Sequence, residues 1–172
     1  MPGITGIIAQ QPTTVENASR LQKMARCLVH EPFYSSGTYS NDSIGVWAGW
    51  ACLKGSYSDC LPIWNRTRDV CLIFSGEHYA DGEENATALV HLYEEKGMQF
   101  FERLNGLFSG LLLDLSEGKC VLFNDRYGLG RIYFHDSPEG FFFSSEAKSL
   151  LKVFPSLRQF DATSLAEYFS CG

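Results

Sequence analysis

The chain lacks most of the features that would assign it to nucleic acid, a membrane or a metal. Its 172 residues carry a net charge of −6, and no cluster of Lys and Arg interrupts that acidity. Binding to nucleic acid or to an anionic bilayer is therefore not expected. No apolar run approaches the length needed to cross a bilayer. No basic segment followed by an apolar one opens the chain, so no secretory leader is expected. The six cysteines, Cys27, Cys52, Cys60, Cys71, Cys120 and Cys171, form no Cys-x-x-Cys pair, and none has a histidine at zinc-ligand spacing. They read as scattered reduced thiols of a cytoplasmic protein rather than a disulfide framework. His30, His78, His91 and His135 fall on different segments, so no metal site is expected. Internal repeats and low-complexity stretches are also absent.

What is present reads as one domain with one substantial core, 45% hydrophobic by composition. Residues 4–9 form a short apolar strand. Gln11-Pro12-Thr13-Thr14 is turn-like and supplies a helix cap. Val15, Ala18, Leu21, Ala25 and Leu28 then recur at helical spacing, up to Pro32. Residues 35–43 read as polar loop. Residues 44–53 and 70–74 read as strands, the second almost wholly apolar and therefore interior. A second helix is expected over 85–96, ended by Gly97, and a short one over 99–104. Two hairpins follow, 107–115 with 120–124 and 132–135 with 141–144. A last helix spans 146–151, capped by Ser144 or Ser145. Antiparallel strands with segregated helices indicate an α+β domain.

Several segments carry a resemblance. Met1-Pro2-Gly3-Ile4-Thr5-Gly6 is similar to a Cys-Gly-Ile-x-Gly opening, with Pro2 at the Cys position. Phe74-Ser75-Gly76-Glu77-His78-Tyr79 is similar to an Asn-Gly-Glu-Ile-Tyr loop, and Leu104-Asn105-Gly106-Leu107-Phe108-Ser109-Gly110 to Leu-Asn-Gly-Met-Phe-Ala. Asn124-Asp125-Arg126-Tyr127-Gly128-Leu129 matches Arg-Asp-Arg-Phe-Gly-Ile, and Phe143-Ser144-Ser145-Glu146-Ala147-Lys148 matches Phe-Ala-Ser-Glu-Ile-Lys. In this order and spacing they resemble the class II glutamine amidotransferase domain, an N-terminal-nucleophile hydrolase, of the asparagine synthetase family. The resemblance implies a four-layer αββα sandwich over residues 1–160. Residues 161–172, with Ser164-Leu165-Ala166-Glu167-Tyr168-Phe169, would begin a linker toward a synthetase domain.

Active members, as the resemblance implies, attack glutamine with the thiolate of a Cys at position 2 and use its own amine as base. An Asn side chain and the N–H of the next Gly hold the oxyanion, an Arg grips the α-carboxylate, and carboxylates hold the α-ammonium. At those positions this chain has Pro2, then Ser75 and Gly76, then Ala48 in Ile44-Gly45-Val46-Trp47-Ala48-Gly49-Trp50. His30 is all that remains of a His-Arg-Gly-Pro-Asp loop. Glu77 persists, and Asn85 stands where a second carboxylate would be, with Glu83 or Glu84 as partial substitutes.

The expectation is a domain with a degenerate glutaminase site. It would use no cofactor of its own and act as a structural or docking module for a synthetase domain in cis or in trans. ATP and Mg2+ would belong to that other domain, and homodimers are common in the family. Beta-lactam synthetases resemble such a case, because their similar N-terminal domain lacks the Cys. Two alternatives stand beside it. One is an active glutaminase using Thr5 or Ser75, or the secondary amine that removal of Met1 would expose on Pro2. The other is a standalone or regulatory module that binds a small molecule in the old glutamine pocket. Elsewhere, Asp125 with Arg126 reads as a structural salt bridge, or as a loop bordering an exit, where Gly130-Arg131 replaces the family's Lys-Pro. Glu146 and Lys148 read as a solvated or interface face, and Phe141-Phe142-Phe143 as core.

Overall fold

The computed structural model describes residues 2–9, 14–79 and 85–171. The expected turn at Gln11-Pro12-Thr13 and the acidic pair Glu83 and Glu84 lie outside them. In chain order the elements are β1 (Gly3–Ile8), α1 (Thr14–Arg26), β2 (Tyr34–Asn41), β3 (Val46–Leu53), β4 (Ile63–Trp64), β5 (Val70–His78), α2 (Thr87–Lys96) and α3 (Phe100–Arg103). They continue with β6 (Gly106–Asp114), β7 (Lys119–Asn124), β8 (Tyr133–Ser137), β9 (Gly140–Ser144), α4 (Ala147–Val153) and α5 (Ala162–Cys171).

The strands make two antiparallel sheets. One has five strands in the order β2-β3-β1-β9-β8, and the other has four in the order β4-β5-β6-β7. Three apolar clusters separate four layers. Ile7, Leu21, Met24, Trp47, Phe142 and Leu150 seal α1 and α4 onto the five-stranded sheet. Ile4, Ala48, Cys71, Ile73, Leu111, Leu113 and Phe143 fill the space between the sheets. Phe74, Leu89, Tyr93, Phe100, Phe108 and Leu112 seal α2 and α3 onto the four-stranded sheet. Alternation along β5 explains the division. Cys71 and Ile73 point inward between the sheets, and Leu72 and Phe74 point outward under α2. The αββα arrangement expected from the resemblance is therefore the observed one.

Local expectations fare unevenly. The segment read as polar loop is β2, an edge strand paired along its whole length with β3, from Tyr34 opposite Leu53 to Asn41 opposite Val46. An edge strand needs no apolar alternation when one of its faces meets water. The face of α1 is also set differently. Val15 is 85% exposed while Asn17 is buried with Leu21, Met24, Ala25 and Leu28, and Ala18 is exposed. The interior strand read as 70–74 continues to His78, paired with Gly106. Gly97 ends α2 with φ 54° and donates its N–H to the Tyr93 carbonyl. For α4, neither Ser144 nor Ser145 is the capping residue, a position held by Glu146. Ser144 Oγ instead accepts the Glu146 N–H at 3.2 Å.

Asp125 corrects a further expectation. It is buried while Arg126 is exposed, and the two form no salt bridge. Asp125 Oδ1 accepts the N–H groups of Tyr127 (3.0 Å) and Leu129 (3.1 Å), and its Oδ2 accepts that of Gly130. Its own N–H donates to Phe108 O at 3.0 Å. Burial pushes its carboxyl up, but the N–H groups of Gly130, Leu129 and Tyr127 outweigh that and hold it below the usual carboxylate range. One residue thus ties the loop after β7 to β6: its carboxylate gathers the loop, and its backbone N–H reaches Phe108.

Candidate functional site

The start of β1 lies in the middle of the five-stranded sheet, paired with β3 from Gly3 opposite Ala51. Close packing explains the glycine spacing of the opening motif. A Cβ on Gly6 would stand 2.4 Å from the Phe143 ring and 2.7 Å from Trp47 O, so only glycine lets β1 lie between β3 and β9. Ile4 N–H donates to Ser145 Oγ at 2.9 Å, and Ser145 N–H donates to Ile4 O at 2.8 Å. These bonds fix β1 to the turn before α4.

Pro2 then projects onto a cavity of about 800 Å³. Ser75 and Gly76 from β5 and Phe108 and Ser109 from β6 form one wall. Leu129, Gly130 and Arg131 come from the loop that Asp125 ties down. His30, Ser145, Glu146 and Lys148 complete the lining. Gly76 has φ 119°, and a Cβ there would stand 2.1 Å from Leu107 O. The bend at this point therefore requires glycine. The Gly76 carbonyl accepts the Ser58 hydroxyl at 2.9 Å.

The structure thus brings Pro2, Ser75 and Gly76 to one cavity. It does not bring Glu77 or Asn85 to its wall. Glu77 is exposed on β5. Asn85 serves α2, its Oδ1 accepting the Thr87 N–H at 3.0 Å and the Thr87 hydroxyl. Ala48 is buried between the sheets opposite Gly6, and no residue of β3 lines the cavity. Thr5 is fully buried with its hydroxyl donating to Phe143 O at 2.9 Å, so it faces no ligand. No cysteine lines the cavity. Burial, with Asp59 adding to it, pushes the Cys52 thiol up to about 11, and burial pushes Cys71 up to about 12. Both therefore stay protonated and inert near neutrality.

Polar residues that the sequence kept apart also meet here. His30 Nε2 donates to Glu146 Oε1 at 2.7 Å across 116 residues. Lys148 Nζ lies 3.0 Å from His30 Nδ1 and 2.9 Å from Glu146 Oε2. Glu146 and Lys148, expected on a solvated or interface face, join His30 on the cavity wall, with Lys148 exposed. Ser109 Oγ stands 3.4 Å from Ser145 Oγ. The motif around Ser145, Glu146 and Lys148 marked their neighbourhood. Nothing in the spacing linked them to His30 or Arg131. Among the described residues, no group of three or more metal-ligating side chains is found, and no helix is long and apolar enough to cross a membrane.

Comparison with known proteins agrees with this architecture. An asparagine synthetase (glutamine-hydrolyzing) from Zea mays is 26% identical over 87% of the chain and 28% of its own length. Asparagine synthetase B from Escherichia coli is 24% identical over 95% of the chain and 32% of its own length. The chain thus spans about a third or less of the curated relatives it matches. Among solved structures, the glutamine phosphoribosylpyrophosphate amidotransferase from B. subtilis superposes with a TM-score of 0.60 at 12% identity. That match covers 88% of the chain and 43% of the other, and it shows a shared fold. The profile of the glutamine amidotransferase domain matches residues 80–172, more than half of the sequence. With the layered fold and the motif order in agreement, the chain belongs to the glutamine amidotransferase domain family.

Proposed function

We propose that this domain does not hydrolyse glutamine. In this reading it serves as a structural or docking module for an ATP-dependent, amide-forming synthetase domain, in cis or in trans. One observation carries the proposal: Pro2 faces Ser75 and Gly76 across a cavity that no thiol lines. Proline has no nucleophilic side chain, and a serine hydroxyl is shorter and differently aimed than the Asn amide whose place it takes. Loss of one oxyanion donor alone reduces rates by about two to three orders of magnitude. Ala48, buried between the sheets, offers no guanidinium to a carboxylate. ATP and Mg2+ would be used by the synthetase domain, and the thiols would remain reduced in a cytoplasmic setting. Pairing of two such domains is compatible with this role.

Incubation of the purified protein with glutamine, followed by glutamate and ammonia measurement, tests the reading. The expected result is no release above the uncatalysed background. Turnover that disappears in Ser75→Ala would overturn it in favour of a serine-dependent glutaminase.

A further inference from the structure

We propose that the Pro2 cavity binds a small organic anion: an oxyanion head group, such as a carboxylate, on an apolar body. The inference is independent of whether glutamine is hydrolysed. It begins with the walls. Pro2, Leu107, Phe108, Leu129, Tyr133 and Ala147 give the cavity a largely hydrocarbon surface, and about 800 Å³ is ample for a single-ring molecule.

The charges then discriminate. Glu146 is shared between His30 and Lys148, at 2.7 and 2.9 Å. Its carboxylate answers the lysine, and the trio contributes little net charge. Arg131 differs. It lines the same cavity, is exposed, and makes no hydrogen bond or ion pair among the described residues. Its backbone is anchored beside the cavity, because the neighbouring Gly130 N–H is bound by buried Asp125. The cavity therefore presents one guanidinium without a partner among the described residues, in a protein whose net charge is −6. A planar guanidinium pairs best with a planar oxyanion, and does so bidentately.

A second group points the same way. Ser75 is 6% exposed, yet its hydroxyl has no hydrogen-bond partner among the described residues. The hydroxyl is open to the cavity rather than sealed in the core, so it is free to donate to a ligand that enters. An amphiphilic anion satisfies both groups while covering the apolar wall. A neutral hydrocarbon would leave both unmet, and an organic cation would be repelled by Arg131. A zwitterionic amino acid fits less well, because its ammonium would compete for a carboxylate already shared by His30 and Lys148.

Three isosteric probes test the proposal: 3-phenylpropanoate, 3-phenylpropan-1-ol and 3-phenylpropan-1-amine, titrated into the full chain by calorimetry or ligand-detected NMR. The acid is expected to bind about tenfold or more tightly than the alcohol, the size of one charge-assisted contact, with the amine weakest. Arg131→Gln should reduce the acid to the level of the alcohol and leave the alcohol unchanged. Arg131 is exposed, so the variant should retain the fold. Arg126→Gln removes a nearby exposed arginine that does not line the cavity, and it should preserve the preference. Failure of the acid to saturate, equal binding of the three probes, a preference that survives Arg131→Gln, or equal loss in both variants would overturn the proposal.

Discussion

The frame around the cavity and the groups that face into the cavity obey different rules. In the frame, rings and backbone groups hold β6, β7 and the loop after them together. Phe74, Phe108 and Phe123 pack ring against ring, with centroids 5.3 and 6.1 Å apart for the pairs Phe74–Phe108 and Phe108–Phe123. Asp125 binds the loop beside them through backbone N–H groups. Facing the cavity, Pro2 and Arg131 are exposed and the Ser75 hydroxyl is unpartnered among the described residues. Both sets lie in or beside motifs similar to those of the asparagine synthetase family. The difference teaches that the motif positions are held by packing and hydrogen bonds while the cavity-facing groups are left free to vary. On the reading proposed above, such a frame persists without the reactive groups of an active glutaminase.

The sharpest way to break this contrast is to damage the frame. Phe74→Ala removes a fully buried ring and is expected to cost about 3–5 kcal/mol, read as a lower denaturation midpoint in urea. Asp125→Asn should cost about 2 kcal/mol, because charge-assisted bonds to the loop weaken. Its pH dependence sharpens the point. The folded carboxyl titrates below its ordinary value, so its contribution is present above about pH 4 and fades as the pH falls through the folded value. The gap between wild type and Asp125→Asn in urea melts should therefore narrow in acid. At the other extreme, Pro2→Ala should shift stability by no more than about 0.5 kcal/mol. A loss comparable to that of Asp125→Asn would mean that the cavity-facing set is part of the frame after all.

Much of the fold was legible in the sequence because burial is periodic. Residues 70–74 announce an interior strand, and Ala88, Leu89, Leu92 and Tyr93 announce α2. The polar strand β2 was not legible: Tyr-Ser-Ser-Gly-Thr-Tyr-Ser-Asn has no apolar alternation, and only pairing with β3 makes it a strand. In α1, Val15 and Ala18 fit a helical stripe by type, but tertiary packing buries Asn17 instead. The adjacent opposite charges of Asp125 and Arg126 suggested a salt bridge because side chains are visible in a sequence and backbone acceptor geometry is not. Pro2, Ser75 and Gly76 could be placed together by resemblance. The link between His30 and Glu146 crosses 116 residues, and no local pattern encodes it.

α5 shows what the domain leaves outside its cooperative unit. No residue of this ten-residue helix is buried, and Tyr168 and Phe169 are 69% and 80% exposed. A helix of that length is marginal when water is its only neighbour. Whatever sharpness the melting of the sandwich has, this segment takes no part in it. Its coil-to-helix balance follows its own surroundings, so in a calorimetric scan of the whole chain it would add a broad slope rather than sharpen the main peak.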